Sequence, residues 1–159
     1  MTSARTENFS YQTLAYMVGR SYVLGIGKTS SWAVEAAPPN VDPSITEVPE
    51  LGLLIPAALT AVYWDPNGLI SVNGVHYSTA NNLADITTNH ATRLLATATL
   101  SHNNLTLASY RALGLYLASP SGVGPWLPAA VTARTLVYAT YQPPTTVTAN
   151  LTENIKLVF

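Results

Sequence analysis

The pattern of apolar and polar positions begins with a helical segment near the N-terminus. Four apolar residues fall at i, i+3, i+4 and i+7 and therefore share one helix face: Tyr11, Leu14, Ala15 and Val18. Asn8 or Ser10 can cap the start of this segment, and Gly19 can end it. The pattern predicts one short N-terminal helix over residues 8–19.

The rest of the apolar pattern follows the two-residue period of β-strands. Strands are predicted over residues 22–26, 59–64, 69–72, 75–77, 92–101, 110–118, 131–141 and 154–159. Residues 110–118 carry apolar or small side chains on both faces, which indicates a central strand covered on both sides. Residues 81–91 are ambiguous, with room for one helical turn. Short strands at this spacing are typical of a sandwich or a barrel, and we expect a mainly β, sandwich-like antiparallel domain.

Local turn signals separate several of these strands. Residues 65–68 (Asp-Pro-Asn-Gly) fit a β-turn with proline at its second position and glycine at its fourth. Asn73-Gly74 is a strong hairpin signal, since both residues tolerate a positive φ. The Pro143-Pro144 pair indicates a further turn.

A long stretch without a regular pattern contains five prolines. They are Pro38, Pro39, Pro43, Pro49 and Pro56. Proline breaks helices and cannot donate a hydrogen bond to a β-ladder. Residues 33–56 are therefore expected to form a long, proline-rich arm that docks onto a neighbouring subunit. We expect one domain over residues 1–159, with its β-rich core over residues 57–159.

Composition extends the prediction from fold to function. Hydrophobic residues make up 48% of the 159 residues, but charged residues make up only 9%, against about 25% for an ordinary soluble domain. A surface this poor in charge favours burial against other subunits; the alternative is a β protein that is covered by Thr, Ser and Asn and is soluble alone.

Scattered cations and a net charge of −1 argue against nucleic-acid binding. The most apolar run, residues 51–64, is too short for a membrane helix, and the N-terminus lacks the apolar core of a signal peptide.

Candidate chemistry is sparse. Residues 25–30 (GIGKTS) look like the end of a phosphate-binding loop, but Tyr22 stands where that motif needs its leading glycine, so we expect no nucleotide site. His90 and His102 stand at opposite ends of a predicted strand, too far apart to share a metal. There is no cysteine, and no catalytic motif is recognisable. We expect no catalytic residue, no cofactor and no metal, and therefore a protein that is not an enzyme.

Six residues are predicted to contact partners. Aromatic side chains in loops can anchor an interface or stack on a sugar. The prolines and apolar residues of the predicted arm suit docking, because proline lowers the entropy lost on ordering. The predicted interface residues are Trp32, Pro38, Pro39, Pro43, Ile45 and Trp126.

Three segments together carry a resemblance to a known family. They are YVLGIGKTSSW at residues 22–32, followed by Pro38-Pro39; YRALGLY at residues 110–116; and TENIKLVF at residues 152–159. In this order they resemble segments of baseplate wedge subunits and related tail structural proteins of contractile-tailed phages. Those proteins have a Gly-basic-Ser/Thr-x-x-Trp strand that runs into prolines, an Arg-x-hydrophobic-Gly-hydrophobic strand, and a terminal strand ending in Phe.

The resemblance implies a non-catalytic structural subunit of the virion, made in the host cytoplasm. Its partners would be other phage structural proteins and copies of itself, in a ring-like homo- or hetero-oligomer. The place in the particle stays open among baseplate wedge, neck and fibre adaptor. The alternative function is a receptor- or carbohydrate-binding β module, such as a fibre adaptor, which sugar binding abolished by a Trp→Ala substitution would favour.

Overall fold

The computed structural model describes residues 6–105 and 109–159 of the chain. Within them the α-helices are α1 Glu7–Val18 and α2 Leu83–Thr88. The strands are β1 Tyr22–Gly27, β2 Leu53–Trp64, β3 Ile70–Val72, β4 Val75–Ala80, β5 Arg93–Ser101, β6 Ser109–Leu117, β7 Thr135–Thr146 and β8 Thr152–Val158. The predicted mainly β, antiparallel fold with a short N-terminal helix is confirmed. No helix in the described ranges is long and apolar enough to cross a bilayer.

The chain divides into two compact units. The first unit holds the described part of Met1–Arg20 together with Leu59–Thr97 and Lys156–Phe159. The second unit holds Ser21–Ala58 and the described part of Ala98–Ile155. The organisation of residues 1–159 as one domain stays a prediction.

The second unit is built around four antiparallel strands in the hydrogen-bonded order β2–β1–β6–β7. β1 pairs with β2 from Tyr22↔Ala57 to Ile26↔Leu53, and β6 pairs with both β1 and β7. All of β1 is buried, as is β6 except at its two end residues, which confirms the central strand predicted at residues 110–118. An apolar cluster packs on this sheet, and its members are Val23, Leu51, Leu54, Tyr116, Ala118, Trp126, Val131 and Leu136.

The first unit contains the β3–β4 hairpin. Asn73 and Gly74 have φ angles of 51° and 79°, so the tight hairpin predicted from their sequence is confirmed. The Gly68 N–H donates to the Asp65 carbonyl at 2.9 Å, which confirms the predicted turn at residues 65–68. The core cluster consists of Val62, Tyr77 and Leu95, with Ile70, Val72 and Val158 packed against it.

Helix α1 starts one residue before the predicted range of 8–19. Its N-cap is Thr6, whose side chain accepts a hydrogen bond from the Phe9 N–H. The predicted caps, Asn8 and Ser10, lie inside the helix instead. A threonine hydroxyl satisfies a free N–H of the first turn by the same geometry as asparagine or serine, so the sequence alone did not separate these candidates.

β2 is longer than the strand predicted at residues 59–64, because Pro56 lies inside it. Leu54 exchanges two backbone hydrogen bonds with Trp126, at 2.8 and 2.9 Å, so the Leu54 N–H points away from β1. Pro56 faces the same way, since backbone direction repeats every two residues along a strand. Its missing N–H therefore removes no hydrogen bond from the β1–β2 ladder, and the prolyl ring is exposed.

β7 also differs from its predicted range of 131–141. It starts later and continues through Pro143 and Pro144, which the sequence predicted to be a turn. The flanking register pairs are Tyr110↔Thr145 and Ala112↔Tyr141. Three β7 residues thus lie opposite one β6 residue, and both prolines occupy this bulge. A bulge leaves residues unpaired, so the missing proline N–H groups remove no ladder hydrogen bond.

The extended arm predicted at residues 33–56 is wrong. The last four residues of that range belong to β2, and residues 28–52, here called the proline-rich segment, pack against other residues of the second unit. The Lys28 N–H donates to the Pro49 carbonyl at 2.7 Å, and Val48 is only 2% exposed. Val48, Leu53, Leu54 and Ile55 are buried within their own chain, so these four side chains have no apolar surface left to bury against a partner.

Candidate functional site

Three ion pairs involve the proline-rich segment, and the most buried joins Arg111 of β6 to Glu35. The Arg111 Nε and Nη2 atoms donate to both carboxylate oxygens over 2.6 to 3.1 Å. The Nη1 atom donates to the Thr29 carbonyl at 2.8 Å and to the Ser109 hydroxyl at 3.0 Å. Two-pronged pairing is the strong form of an arginine–carboxylate contact, and these hydrogen bonds lower the pKa of the Glu35 carboxyl to about 2.

The second pair places the Glu50 carboxylate in the turn that follows β1. Oε2 accepts hydrogen bonds from the Thr29 N–H at 2.7 Å, the Ser30 N–H at 2.8 Å and the Thr29 hydroxyl at 2.8 Å. Oε1 accepts from the Ser30 hydroxyl and from Lys28 Nζ. Hydrogen bonds from the Ser30 side chain and backbone, then from Thr29, hold the pKa of Glu50 far below its usual range. The donors that a phosphate-binding loop offers to phosphate are thus bound to a carboxylate of the same chain.

The third pair joins Arg134, just before β7, to Glu47. The Arg134 Nη1 atom also donates to the Pro128 and Val131 carbonyls, at 2.9 and 2.5 Å, and the guanidinium lies 5.8 Å from the Tyr116 ring centroid. The Nε atom is buried without a hydrogen-bond partner. Arg134 therefore connects the loop before β7 to the proline-rich segment and packs on the core at the same time.

Trp32, a predicted interface residue, makes its contacts inside the second unit. Its Nε1 atom donates to the Gln142 carbonyl at 2.9 Å, and its ring centroid lies 5.0 Å from that of Tyr141. The side chain is half-buried, as is Pro38, whereas Pro39 is exposed. Of these three predicted residues, Pro39 is the one that faces solvent most fully.

Pro43 and Ile45, two further predicted interface residues, line a cleft beside β7. This β7 cleft has a volume of about 370 Å³. Its lining consists of Val41, Asp42, Pro43, Ile45, Leu136, Val137, Tyr138 and Ala139. The Asp42 carboxylate accepts hydrogen bonds from the hydroxyl and N–H of Ser44, at 2.7 and 2.8 Å, which lower its pKa. The carboxylate in the lining is therefore stabilised locally, and the rest of the lining is mostly apolar.

Trp126, the last predicted interface residue, supports an exposed apolar loop. Its backbone is paired with Leu54 at the edge of β2, and its Nε1 atom donates to the Ser121 carbonyl at 2.9 Å. The ring packs against the core of the second unit. On either side of it, Val123 is 90% exposed and Leu127 is 68% exposed. These two side chains, here called the apolar tip, were not predicted from the sequence, because nothing local distinguishes them from core residues.

A separate polar cluster surrounds His102. The Nε2 atom of the buried imidazole lies 3.1 Å from a Glu153 carboxylate oxygen, and its Nδ1 atom accepts a hydrogen bond from the Thr148 N–H at 3.2 Å. Because Nδ1 accepts, the proton of the neutral ring is on Nε2. Burial and the hydrogen bond to Glu153 raise the pKa of Tyr110 well above its usual value. His102 and Tyr110 both contact the Glu153 carboxylate, so the cluster connects the start of β6 to the start of β8. Across the described ranges, no group of three or more potential metal ligands is brought together.

The carboxylates as a group serve the fold. All eight acidic residues lie in the described ranges, and seven accept a hydrogen bond of 3.1 Å or less from their own chain: Glu35, Asp42, Glu47, Glu50, Asp65, Asp85 and Glu153. The eighth, Glu7, lies 3.5 Å from the Tyr11 hydroxyl. These contacts tie the carboxylates to neighbouring groups of their own chain, which favours a structural role.

Trp64 is the aromatic residue that sequence reasoning missed. It is 67% exposed at the end of β2, whereas Trp32 and Trp126 are half-buried. The sequence feature that could have identified Trp64 as exposed is its position directly before the turn at residues 65–68. Side chains at the end of a strand have fewer neighbours than those in its middle.

A comparison with protein families finds no matching family model, and a comparison with curated proteins finds no matching sequence. The resemblance to phage tail proteins therefore stays a prediction.

Proposed function

We propose that the chain is a non-catalytic structural subunit of a phage tail, as a baseplate wedge or a neighbouring tail or neck component, that acts through assembly with other subunits. The observation that carries the proposal is the use of its few charges. The cations of the second unit and most of the carboxylates bind groups of their own chain, while several large apolar side chains are exposed. The phage setting is supported by the three resembling segments at residues 22–32, 110–116 and 152–159.

The pairing of charged side chains within the chain is most complete in the second unit. Its three cations are Lys28, Arg111 and Arg134, and each pairs with a glutamate of the proline-rich segment. An ordinary monomer keeps many charged side chains free for water. With 9% charged residues, this chain has few charged side chains left for that purpose.

The exposed apolar side chains support assembly in a second way. The most exposed of the large ones are Leu69, Val123, Leu127 and Trp64, at 100%, 90%, 68% and 67%. Single exposed apolar residues are common on monomers, but depletion of charge together with exposed aromatic and aliphatic groups is the composition of interface cores. Burial against neighbouring subunits removes this surface from water and stabilises the assembly.

The test of the tail proposal is the composition of particles. Purified virions from the phage that encodes the chain are analysed by quantitative mass spectrometry, with a non-structural protein of the same phage as the control. We expect the chain at a fixed ratio to the tail proteins, and a nonsense mutation in its gene should give particles with incomplete tails in electron micrographs. Normal, infectious particles without the chain would overturn the proposal.

A receptor- or carbohydrate-binding β module is the second candidate, and the exposure of Trp64 favours it. Open aromatic faces stack on sugar rings. A glycan array with the wild-type chain, Trp64→Ala and Trp32→Phe distinguishes the two functions. Saturable binding that is lost in Trp64→Ala and kept in Trp32→Phe would select the binding module, and no binding by the wild type would exclude a sugar ligand of the kinds on the array.

A further inference from the structure

We propose that Asn73 is a site of spontaneous deamidation, at which the side-chain amide is converted to aspartate or isoaspartate without an enzyme. The proposal goes beyond assembly, because it concerns a covalent change at the turn of the β3–β4 hairpin. Its support is a contrast between the two Asn-Gly pairs of the chain, Asn67-Gly68 and Asn73-Gly74, which the fold places in opposite environments.

The reaction needs only water and the residue that follows the asparagine. The backbone nitrogen of Gly74 loses its proton to solvent and attacks the Cγ atom of Asn73. The new C–N bond closes a five-membered succinimide ring, the Cγ–Nδ2 bond breaks, and ammonia leaves with a proton from solvent. Water then opens the ring at either carbonyl carbon, which gives aspartate or isoaspartate without any transfer of electrons. Glycine in the second position favours ring closure, because no Cβ atom hinders the attacking nitrogen.

The Asn73-Gly74 pair is open to this reaction. Both residues are exposed, and they form the two-residue turn that follows the last ladder pair, Val72↔Val75. Such a turn is closed by hydrogen bonds between the residues that flank it, so the Gly74 N–H is not part of the ladder. A Cβ atom built at Gly74 has no heavy atom within 4 Å beyond its chain neighbours, which leaves room beside the turn for a ring to close.

The Asn67-Gly68 pair is an internal comparison, because its backbone is held in place. The Gly68 N–H, whose nitrogen would have to attack, donates to the Asp65 carbonyl at 2.9 Å. The Asn67 N–H donates to the Asp65 carboxylate, also at 2.9 Å. Gly68 is buried, and a Cβ atom there would overlap the Tyr77 carbonyl oxygen. Ring closure at Asn67 must therefore break the turn at residues 65–68 first.

These hydrogen bonds set the expected difference in rate. Breaking one typical hydrogen bond before a reaction slows that reaction by about a factor of ten, and two such bonds hold the Asn67-Gly68 pair. We therefore expect Asn73 to react at least about ten times faster than Asn67 in the folded chain. In the unfolded chain the reacting residues of the two pairs are the same, so their rates should become similar.

The two products should differ in their effect on the hairpin. Isoaspartate adds one carbon atom to the main chain before Gly74, and a two-residue turn between Val72 and Val75 has no place for it. Aspartate leaves the main chain unchanged and adds one negative charge to a chain whose net charge is −1. Isoaspartate should therefore loosen the pairing of β3 with β4, whereas aspartate should preserve it.

The test follows both asparagines in the full chain during prolonged incubation in mildly alkaline buffer. Peptide mapping by mass spectrometry measures aspartate and isoaspartate at each position, in the folded chain and in guanidinium chloride. Products at Asn73 should accumulate at least about ten times faster than at Asn67 in the folded chain, and at similar rates in the unfolded chain. Asn73→Gln should abolish the fast product, because glutamine has to close a slower six-membered ring. Asn67→Gln is the matched control and should leave that product unchanged.

Two results would overturn the inference. An Asn73 that stays intact in the folded chain, while both positions react in guanidinium chloride, would show that the hairpin protects it. Equal rates at Asn67 and Asn73 in the folded chain would show that the hydrogen bonds of the turn at residues 65–68 do not control the reaction. Neither result bears on the tail proposal, which is tested by the composition of virions.

Discussion

Arg111 and Glu35 are 76 positions apart in the chain, yet their side chains form a two-pronged ion pair. Arg111 lies on the central strand β6 and is 6% exposed, while Glu35 lies in the proline-rich segment. Because two parallel hydrogen bonds fix both distance and orientation, this pair places the first half of the segment on the sheet. The Arg134–Glu47 pair joins the second half of the segment to the loop before β7, and the Lys28–Glu50 pair joins the two ends of the segment to each other.

Loss of the Arg111 pair should destabilise the fold. Glu35→Gln leaves the buried guanidinium without a charge partner, which is strongly destabilising for a buried ion. We expect Tm to fall by roughly 5–10 °C, measured by differential scanning calorimetry. Glu7→Gln, at an exposed helix position, is the matched control and should leave Tm unchanged. An unchanged Tm in Glu35→Gln would show that the pair does not stabilise the segment.

Stability should fall in acid over a defined window. The pKa of Glu35 is lowered to about 2 in the folded chain, and that of Glu50 is lowered as well, against about 4.3 for an unfolded glutamate. The unfolded state therefore binds more protons than the folded state between these values, so the stabilisation is complete above about pH 5 and is lost as pH falls toward 2. Urea unfolding at a series of pH values measures this.

In the same urea series, Glu35→Gln should have a shallower acid dependence than the wild type, because one of the responsible carboxyls is gone. Asp85→Asn, at a carboxylate of the short helix α2, serves as the comparison. Equal slopes for the wild type and Glu35→Gln would contradict the assignment of the acid response to the ion pairs.

Backbone protection should follow the hydrogen bonds of the proline-rich segment. The amide of Lys28 donates to the Pro49 carbonyl, and that of Val48 donates to the Tyr116 hydroxyl at 2.9 Å. Both amides should exchange slowly in the isolated chain, whereas the amide of the exposed Asn40 should exchange fast. Hydrogen exchange read by NMR checks this. Uniformly fast exchange over residues 28–52 would restore the free arm that the sequence predicted.

Glycine substitutions should separate backbone strain from steric clash. Gly74 and Gly124 both have positive φ, 79° and 64°, so alanine costs about 1–2 kcal/mol at either position. A Cβ at Gly124 would lie 2.7 Å from the Trp126 ring, whereas a Cβ at Gly74 has open space. Gly124→Ala should therefore lower Tm more than Gly74→Ala and change Trp fluorescence. Equal effects would show that the ring is free to move.

Elements with local signals were predictable from the sequence. The hairpin at Asn73-Gly74 and the turn at residues 65–68 depend on residues next to each other. The strand predicted at residues 92–101 is β5, in which Leu94, Ala96, Ala98 and Leu100 are buried at alternate positions. Periodicity and turn chemistry act over a few residues, so one sequence contains enough information to place these elements.

The candidate site depends on contacts that sequence patterns do not report. Arg134 and Glu47 are 87 positions apart, and no local rule connects them. Five prolines suggested a free arm, because proline excludes regular elements but says nothing about where an irregular segment packs. Pro56 and Pro143 lie inside strands because each occupies a position where the backbone N–H would make no hydrogen bond to the neighbouring strand.

The position of Glu50 has a consequence for any phosphate that approaches the Gly-Lys-Thr-Ser turn. Its carboxylate is tethered to the same chain, so it competes with dissolved anions at an effective concentration on the order of millimolar or higher. Five donor contacts from Lys28, Thr29 and Ser30 strengthen its hold. A free phosphate must displace this built-in anion and leave Glu50 without partners. The segment that most resembles a nucleotide site in sequence is thus self-inhibited as an anion site.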